Sequence, residues 1–280
     1  MTRSDLKNIT DLHYVNMKRY ACSCFSDLDR HTVHQFRVEY KKLRAFLRML
    51  SANESIEVSG KLRRAYRIAG RIRDFQLHMA GSGKSTDDGD DKPAAYLKAL
   101  RREIHKEKAA LIKILSTNPL DKSQAKTDHM LPGSFTMEEY QRYTEGKQRK
   151  INAILRSAKF NNQNLHVIRK ILKDLVYNSD TCASAFPGKA SFTMGAVFSS
   201  LLDDLGIFQD QCSSIKFMKG RLVRALRCKD KRKMAVVKRH LLRSRKRLKY
   251  AIIKKLRAAV NPDPVRSVSI KQPARVQIER

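Results

Sequence analysis

The sequence predicts an all-α fold, and three observations support it. Apolar residues recur at intervals of three and four along most of the chain, the period of helices that bury one face. Glycine and proline are sparse, with 11 and 7 among 280 residues, so few positions interrupt a helix. One motif, a histidine followed by arginine three residues later and lysine four after that, begins at His34 and again at His166. Two related helical halves are therefore expected.

The predicted helices follow one another from the N-terminus to residue 260. Pro93 lies at the beginning of the fourth, and Thr136 with Glu139 forms a capping box before the fifth. Pro187 and Gly188 separate the sixth from the seventh. The predicted helices span residues 5–29, 31–51, 56–80, 93–116, 136–159, 162–182, 190–206, 207–228 and 230–260.

Two longer segments, residues 81–92 and 116–135, are predicted as loops. The second lies near the midpoint and divides the chain into a first helical half, residues 1–130, and a second, residues 131–260. Residues 261–280 lose the helical period and are predicted to be a disordered tail.

The repeated motif places its basic residues on one side of a helix. At about 100° per residue, the first copy aligns five residues in a stripe about 80° wide, opposite an apolar face expected to enter the core. The first stripe consists of His34, Arg37, Lys41, Arg44 and Arg48. The second copy repeats its beginning with His166, Arg169 and Lys173. A cationic stripe built twice predicts a polyanion-binding site, although a histidine beside an apolar face can also be purely structural.

The net charge indicates the same kind of partner. Lys and Arg number 59 against 27 Asp and Glu, giving +32. Such a charge destabilises the compact state by self-repulsion, which an anionic partner would relieve. Between Lys219 and Arg257 stand 18 basic residues and one acid, Asp230. This run is either a peripheral track for a polyanion or a solvated helix face.

A second motif follows each stripe. Gly70 and Asp74 are four residues apart, as are Gly206 and Asp210, and the histidine-to-aspartate separations are 40 and 44 residues. Two motifs in the same order indicate an internal duplication. Each aspartate either holds nearby basic side chains in position or forms an ordinary salt bridge. The predicted helix that contains Gly70 carries a further basic stripe, which we also expect to contact the polyanion. It consists of Arg64, Arg67 and Arg71.

These motifs resemble the CHAD domain (conserved histidine alpha-helical domain). The resemblance rests on HQFRVEYKKLRAFLRML followed by LRRAYRIAGRIRD and on HVIRKILKDLVY followed by LDDLGIFQD, and it spans roughly residues 5–258. It implies two pseudo-symmetric four-helix bundles that bind inorganic polyphosphate through a basic surface where the halves meet. By position, the resemblance implies binding roles for His34, His166, Arg37, Lys41, Arg44, Arg169 and Lys173.

The second copy departs from the first at two positions. Val176 stands where the first stripe has Arg44, and Asp174 stands where the first has Lys42. The second half is therefore expected to offer fewer contacts. One shared groove and two separate sites both fit the pattern.

A nucleic-acid-binding protein is the alternative, because bulk charge does not distinguish one phosphate chain from another. Against it, the chain has no Trp and no RNP-like or zinc-finger motif, and Phe36, Tyr40 and Phe46 have core-facing spacing rather than that of stacking platforms. Catalysis is not expected, since no clustered carboxylates or nucleophile–base pair stand out. The GSGKST segment lacks the first P-loop glycine, whose place is taken by His78.

No cofactor or metal is expected. The five cysteines lack zinc-ligand spacing, and His31 beside His34 lacks a third ligand. Reduced thiols suit a cytoplasmic protein, and association with polyphosphate granules is a further expectation. No apolar run has the length of a membrane span.

Overall fold

The computed structural model describes residues 1–26, 29–51, 56–80, 92–186 and 196–260. Within these ranges the chain is helical, apart from short connections and one isolated β-bridge between Thr2 and Ser134. The helices are α1 (Arg3–Ser26), α2 (Arg30–Leu50), α3 (Gly60–Ala80), α4 (Ala94–Leu115), α5 (Pro119–Met130), α6 (Met137–Arg156), α7 (Asn162–Ala185), α8 (Ala196–Phe217), α9 (Arg221–Arg224) and α10 (Cys228–Val260). The all-α prediction is confirmed.

The prediction of a loop over residues 116–135 is wrong, because α5 lies within it. This helix is mostly polar, and beside Pro119 and Leu120 at its beginning the face that it buries carries the hydroxyl groups of Ser123 and Thr127. Ser123 and Thr127, both fully buried, form hydrogen bonds of 3.0 and 2.8 Å with the Tyr14 hydroxyl of α1. Buried hydroxyl groups do not contribute to an apolar period, so the period of apolar residues does not predict this helix.

The predicted break between residues 206 and 207 is also wrong. Helix α8 continues through Gly206, with Leu205 and Phe208 buried on either side of it. A glycine inside a helix costs about 1 kcal/mol relative to alanine, and packing of the flanking residues offsets that cost. The helix ends at Phe217, whose carbonyl accepts a 2.8 Å hydrogen bond from the Gly220 backbone.

Two helix-start signals predicted from the sequence are present in the structure. The capping box of Thr136 and Glu139 is present at the beginning of α6, and Pro93 is the N-cap of α4. The predicted separator at Pro187 and Gly188, the segment 81–91 and the tail 261–280 lie outside the described residues.

Buried apolar side chains form three clusters. The first joins α1, α2 and α3 and also includes side chains of α4, α5, α6 and α7, and the third joins α7, α8 and α10. The second packs Phe75 of α3 and Tyr96 of α4 against Ile215 of α8 and Met234 of α10. It therefore takes side chains from both sides of residue 130. The division into two bundles and the internal duplication remain predictions.

Helix α2 occupies a central position because both of its faces contact protein. Its apolar face, including Phe36, Leu43 and Leu47, is buried in the first cluster. Elsewhere along its length it packs on α7, where the Asn178 amide donates a 3.2 Å hydrogen bond to the Ala45 carbonyl. Helix α3 also contacts α8. The basic face of α2 is thus brought towards α7 and α8.

No helix among the described residues combines the length and apolar character needed to cross a membrane.

Candidate functional site

The two copies of the repeated motif lie near each other. The charge of Lys173 on α7 acts on both His34 and Lys41 of α2, and Arg169 also acts on Lys41. Arg73 of α3 and Asp210 of α8 belong to the same electrostatic neighbourhood. We call this group the central cluster, and it comprises His34, Arg37, Lys41, Arg73, Asp74, Arg169, Lys173 and Asp210.

Positive charges crowd one another in the central cluster. Burial and the charges of Arg37, Lys173 and Arg169 lower the pKa of Lys41 to about 7. Burial, followed by Arg73 and other cations, lowers the pKa of His34 to about 4. Since a depressed pKa means that the cationic form is disfavoured, protonation of this region is unfavourable without an anion.

The two aspartates of the second motif lie among these cations without an ion pair inside 4.0 Å in the described part of the chain. Burial raises the pKa of Asp74, although Arg37 and Lys41 oppose that effect. Asp210 keeps an exposed edge, yet the surrounding protein removes enough water from its carboxyl group to raise its pKa. The carboxylates therefore act on the cations at longer range rather than through a direct salt bridge.

Gly70 gives the Arg37 guanidinium its space. Arg37 donates a 3.1 Å hydrogen bond from Nη1 to the Tyr66 carbonyl and lies 4.7 Å from the Tyr66 ring centroid. A Cβ atom at Gly70 would overlap with Nη1. At Gly206, the matching glycine of the second motif, a Cβ atom would meet nothing within 4 Å. The repeated glycine therefore has this packing role in the first motif alone.

The second histidine is oriented by α8. His166 Nδ1 donates a 3.0 Å hydrogen bond to Gln209 Oε1. In the neutral ring this leaves Nε2 as the acceptor nitrogen. Gln209 immediately precedes Asp210, just as Arg73 precedes Asp74. The residue before each aspartate thus lies close to a motif histidine.

Two arginines of the central cluster have buried nitrogen atoms without a hydrogen-bond partner among the described residues, namely Arg73 Nη1 and Arg169 Nε. A buried donor left unpaired is costly, and a cationic donor more so. An anion bound at the cluster would supply acceptors for such groups.

The remaining predicted site residues lie outside the central cluster. Arg44 and Arg48 line a cleft between α2 and α6. Arg71 faces α4 and forms a bidentate pair with Glu107, at 2.7 and 2.6 Å, whose hydrogen bonds raise the arginine's pKa. Arg64 lines a different cleft beside Lys122, and Arg67 is exposed.

Arg73 was not among the predicted site residues. The predicted stripe on this helix runs through Arg71, whereas Arg73 lies about 160° around the helix from that residue. Its position immediately before the repeated Asp74 and three residues after Gly70 was the available signal.

Metal-ligand geometry is not found in the described ranges, where no group of three or more His, Cys, Asp or Glu side chains could hold a metal ion. The five cysteines are free thiols.

The chain belongs to the CHAD domain family, whose family model matches residues 10–219. Its fold is similar to the crystal structure of the CHAD domain from the plant Ricinus communis, with a TM-score of 0.72 and 16% sequence identity over 92% of each chain. No curated protein matches the chain. The family is associated with polyphosphate binding, which supports a polyphosphate-related role.

Proposed function

We propose that this protein binds inorganic polyphosphate at the central cluster without catalysing a reaction on it. The observation that carries the proposal is the convergence of cations from three helices on one half-buried place. Arg37 and Lys41 come from α2, Arg73 from α3, and Arg169 and Lys173 from α7. His34 and His166 lie on the same two helices as the motif cations.

A phosphate chain would supply the negative charges and hydrogen-bond acceptors that the central cluster lacks. Burial and, after it, repulsion by neighbouring cations lower the pKa of Lys41, and the repeated negative charges of a phosphate chain would relieve that repulsion. Arginine forks bind phosphate oxygens through parallel hydrogen bonds, and lysine acts as a mobile point charge. Release of counterions would supply much of the affinity, by analogy with nucleic-acid backbones, so binding should weaken steeply with salt.

The proposed role is that of a binding protein in the cytoplasm, with association with polyphosphate granules as its consequence. Asp74 and Asp210 are the carboxylates common to both motifs, and both lie among basic side chains. We assign them to orienting those side chains rather than to phosphoryl transfer. Phosphate release from long-chain polyphosphate that Asp74→Asn abolishes would contradict this assignment.

The decisive experiment is a fluorescence-detected titration with long-chain polyphosphate at fixed salt, with and without excess duplex DNA. The Arg37→Ala/Arg169→Ala variant removes one cation from each motif copy. The Arg101→Ala/Arg102→Ala variant removes the same charge from the exposed side of α4. We expect the first variant to lose affinity at least about tenfold and the second to change it by less than about twofold, since only the first disrupts the cluster.

Competition with duplex DNA shows whether the site prefers polyphosphate or nucleic acid. We expect excess DNA to leave polyphosphate binding of the wild type largely intact. Equal losses in both double variants, together with displacement by DNA, would mean generic basicity, and the nucleic-acid-binding alternative would replace the proposal.

A further inference from the structure

A second basic surface lies between α2 and α6, and none of its lining residues belongs to the central cluster. It is a cleft of about 420 Å³. Five of its lining side chains are cationic, and one is acidic, Glu57. The cations of this α2–α6 cleft are Arg44, Arg48, Arg142, Lys147 and Lys150.

The acid in the lining does not neutralise the cleft. Glu57 accepts a 2.7 Å hydrogen bond from Arg63, which is not a lining residue. That bond is the main cause of the lowered pKa of Glu57. The carboxylate is therefore already engaged by an outside cation, and the positive charge of the lining remains in excess.

Asp174 of α7 pairs with two of the cleft cations. Its carboxylate accepts hydrogen bonds from Arg48 Nε at 3.2 Å and Lys147 Nζ at 3.3 Å. One carboxylate shared by two cations leaves a positive charge uncompensated. Burial lowers the pKa of Lys147, and Arg48 and Lys150 add to this effect against the opposing influence of Asp174. Cations therefore repel one another in the cleft, as they do in the central cluster.

The cleft and the central cluster share the basic stripe of α2. Lys41 belongs to the cluster, whereas Arg44 and Arg48, one and two turns further along the same basic stripe, line the cleft. Seven residues of helix span about 10 Å. A flexible anionic chain that leaves Lys41 along this stripe therefore meets Arg44 and Arg48 within that distance.

We propose that the α2–α6 cleft is a second contact zone for the same polyphosphate chain and that it gives the protein a preference for long chains. This inference rests on the proposed function of the central cluster. A short oligophosphate occupies the cluster alone, whereas a longer chain also engages the cleft. The two zones act as linked sites, so the second contact is intramolecular and adds affinity only for ligands that reach both.

Two variants test the cleft in different ways. Arg142→Ala/Lys150→Ala removes two exposed lining cations. Gly146→Leu fills the cleft while keeping every charge, because a Cβ atom at Gly146 would meet only Arg149 Nη2, at 4.0 Å. Leucine is a better helix former than glycine, so α6 should tolerate the change. Arg101→Ala/Arg102→Ala is the control for loss of two charges elsewhere.

Each variant is titrated with tripolyphosphate and with long-chain polyphosphate at several salt concentrations. We expect both cleft variants to lose long-chain affinity about tenfold and to bind tripolyphosphate within about twofold of the wild type. The slope of log affinity against log salt should become shallower by roughly one to two for Arg142→Ala/Lys150→Ala, because each lost phosphate contact removes most of one released counterion. The control should keep its slope.

Unchanged long-chain affinity in Gly146→Leu, or equal losses for both ligands in the charge variant and the control, would overturn the inference. Failure of the proposed function is distinguishable from this result. It would appear as long-chain binding that is insensitive to Arg37→Ala/Arg169→Ala, whatever the cleft variants do.

Discussion

Single residues of the central cluster have unusual protonation behaviour because cations surround them in partly buried positions. Lys41 is the clearest case, since its pKa of about 7 lies far below the ordinary value of 10.5. The folded protein therefore disfavours a proton that the unfolded chain keeps. This difference connects the charge of the site to the stability of the fold.

Stability of the unliganded protein should rise with pH above neutrality. Between pH 7 and 10.5 the unfolded chain binds more protons at Lys41 than the folded chain does. The cost of charging Lys41 is fully present below pH 7 and disappears as the pH rises through that interval. Its contribution to the free energy of unfolding increases by up to about 1.4 kcal/mol per pH unit. Urea unfolding at pH 7, 8 and 9 measures this increase in the free energy of unfolding.

Lys41→Met should remove this part of the rise, whereas Lys98→Met, on an exposed position of α4, should keep it. Identical pH slopes in the two variants would contradict the assignment to Lys41. Bound polyphosphate favours the charged amine, so affinity should fall as the pH is raised above 7 in the wild type and not in Lys41→Arg.

The two repeated glycines should respond differently to alanine. Gly70→Ala displaces the Arg37 guanidinium, whereas Gly206→Ala enters open space. We expect Gly70→Ala to weaken polyphosphate binding several-fold with little change in stability. The helix gain of about 0.5–1 kcal/mol offsets the lost hydrogen bond to Tyr66. Gly206→Ala should stabilise by about 0.5–1 kcal/mol and bind normally. Titration and urea unfolding of both variants check this, and equal affinities would show that the Arg37 position is unimportant.

At the scale of helices, contacts between polar side chains decide several arrangements. Asp174 links α7 to Arg48 of α2 and to Lys147 of α6. Viewed along the sequence, the same aspartate only reduces the positive charge of the second stripe. Its structural role depends on three helices that meet in space.

Asp174→Asn should lower stability and leave anion affinity intact. The variant keeps a hydrogen-bond acceptor but leaves Arg48 and Lys147 without a countercharge. Since Arg48 is partly exposed, we expect a loss of about 1–2 kcal/mol, measured by thermal unfolding. Long-chain affinity should stay within about twofold or increase, because the cleft becomes more positive. Asp180→Asn, at an exposed position of the same helix, is the matched control. A parallel drop in affinity would instead assign Asp174 a role in positioning the cations for binding.

For the whole molecule, the sequence predicted the helical class because most helices bury an apolar stripe with a clear period. It did not predict α5, whose buried face carries Ser123 and Thr127, or the continuity of α8 through Gly206. The proximity of Lys41 to Lys173 was expected only from the family resemblance. Their separation of 132 residues is bridged by packing of α2 on α7, which no local pattern specifies. Arg73 was missed for the same reason, since its importance depends on what α3 faces.

The depressed pKa of Lys41 also gives this side chain a distinctive chemical reactivity. Near neutral pH a substantial fraction of its amine is uncharged, and only the uncharged amine is nucleophilic. Ordinary surface lysines remain almost wholly protonated under the same conditions. Lys41 should therefore be acylated by amine-directed reagents at a pH where those lysines react slowly, and a bound anion that restores its proton should protect it. The rate at which Lys41 is acylated would therefore report whether an anion occupies the site.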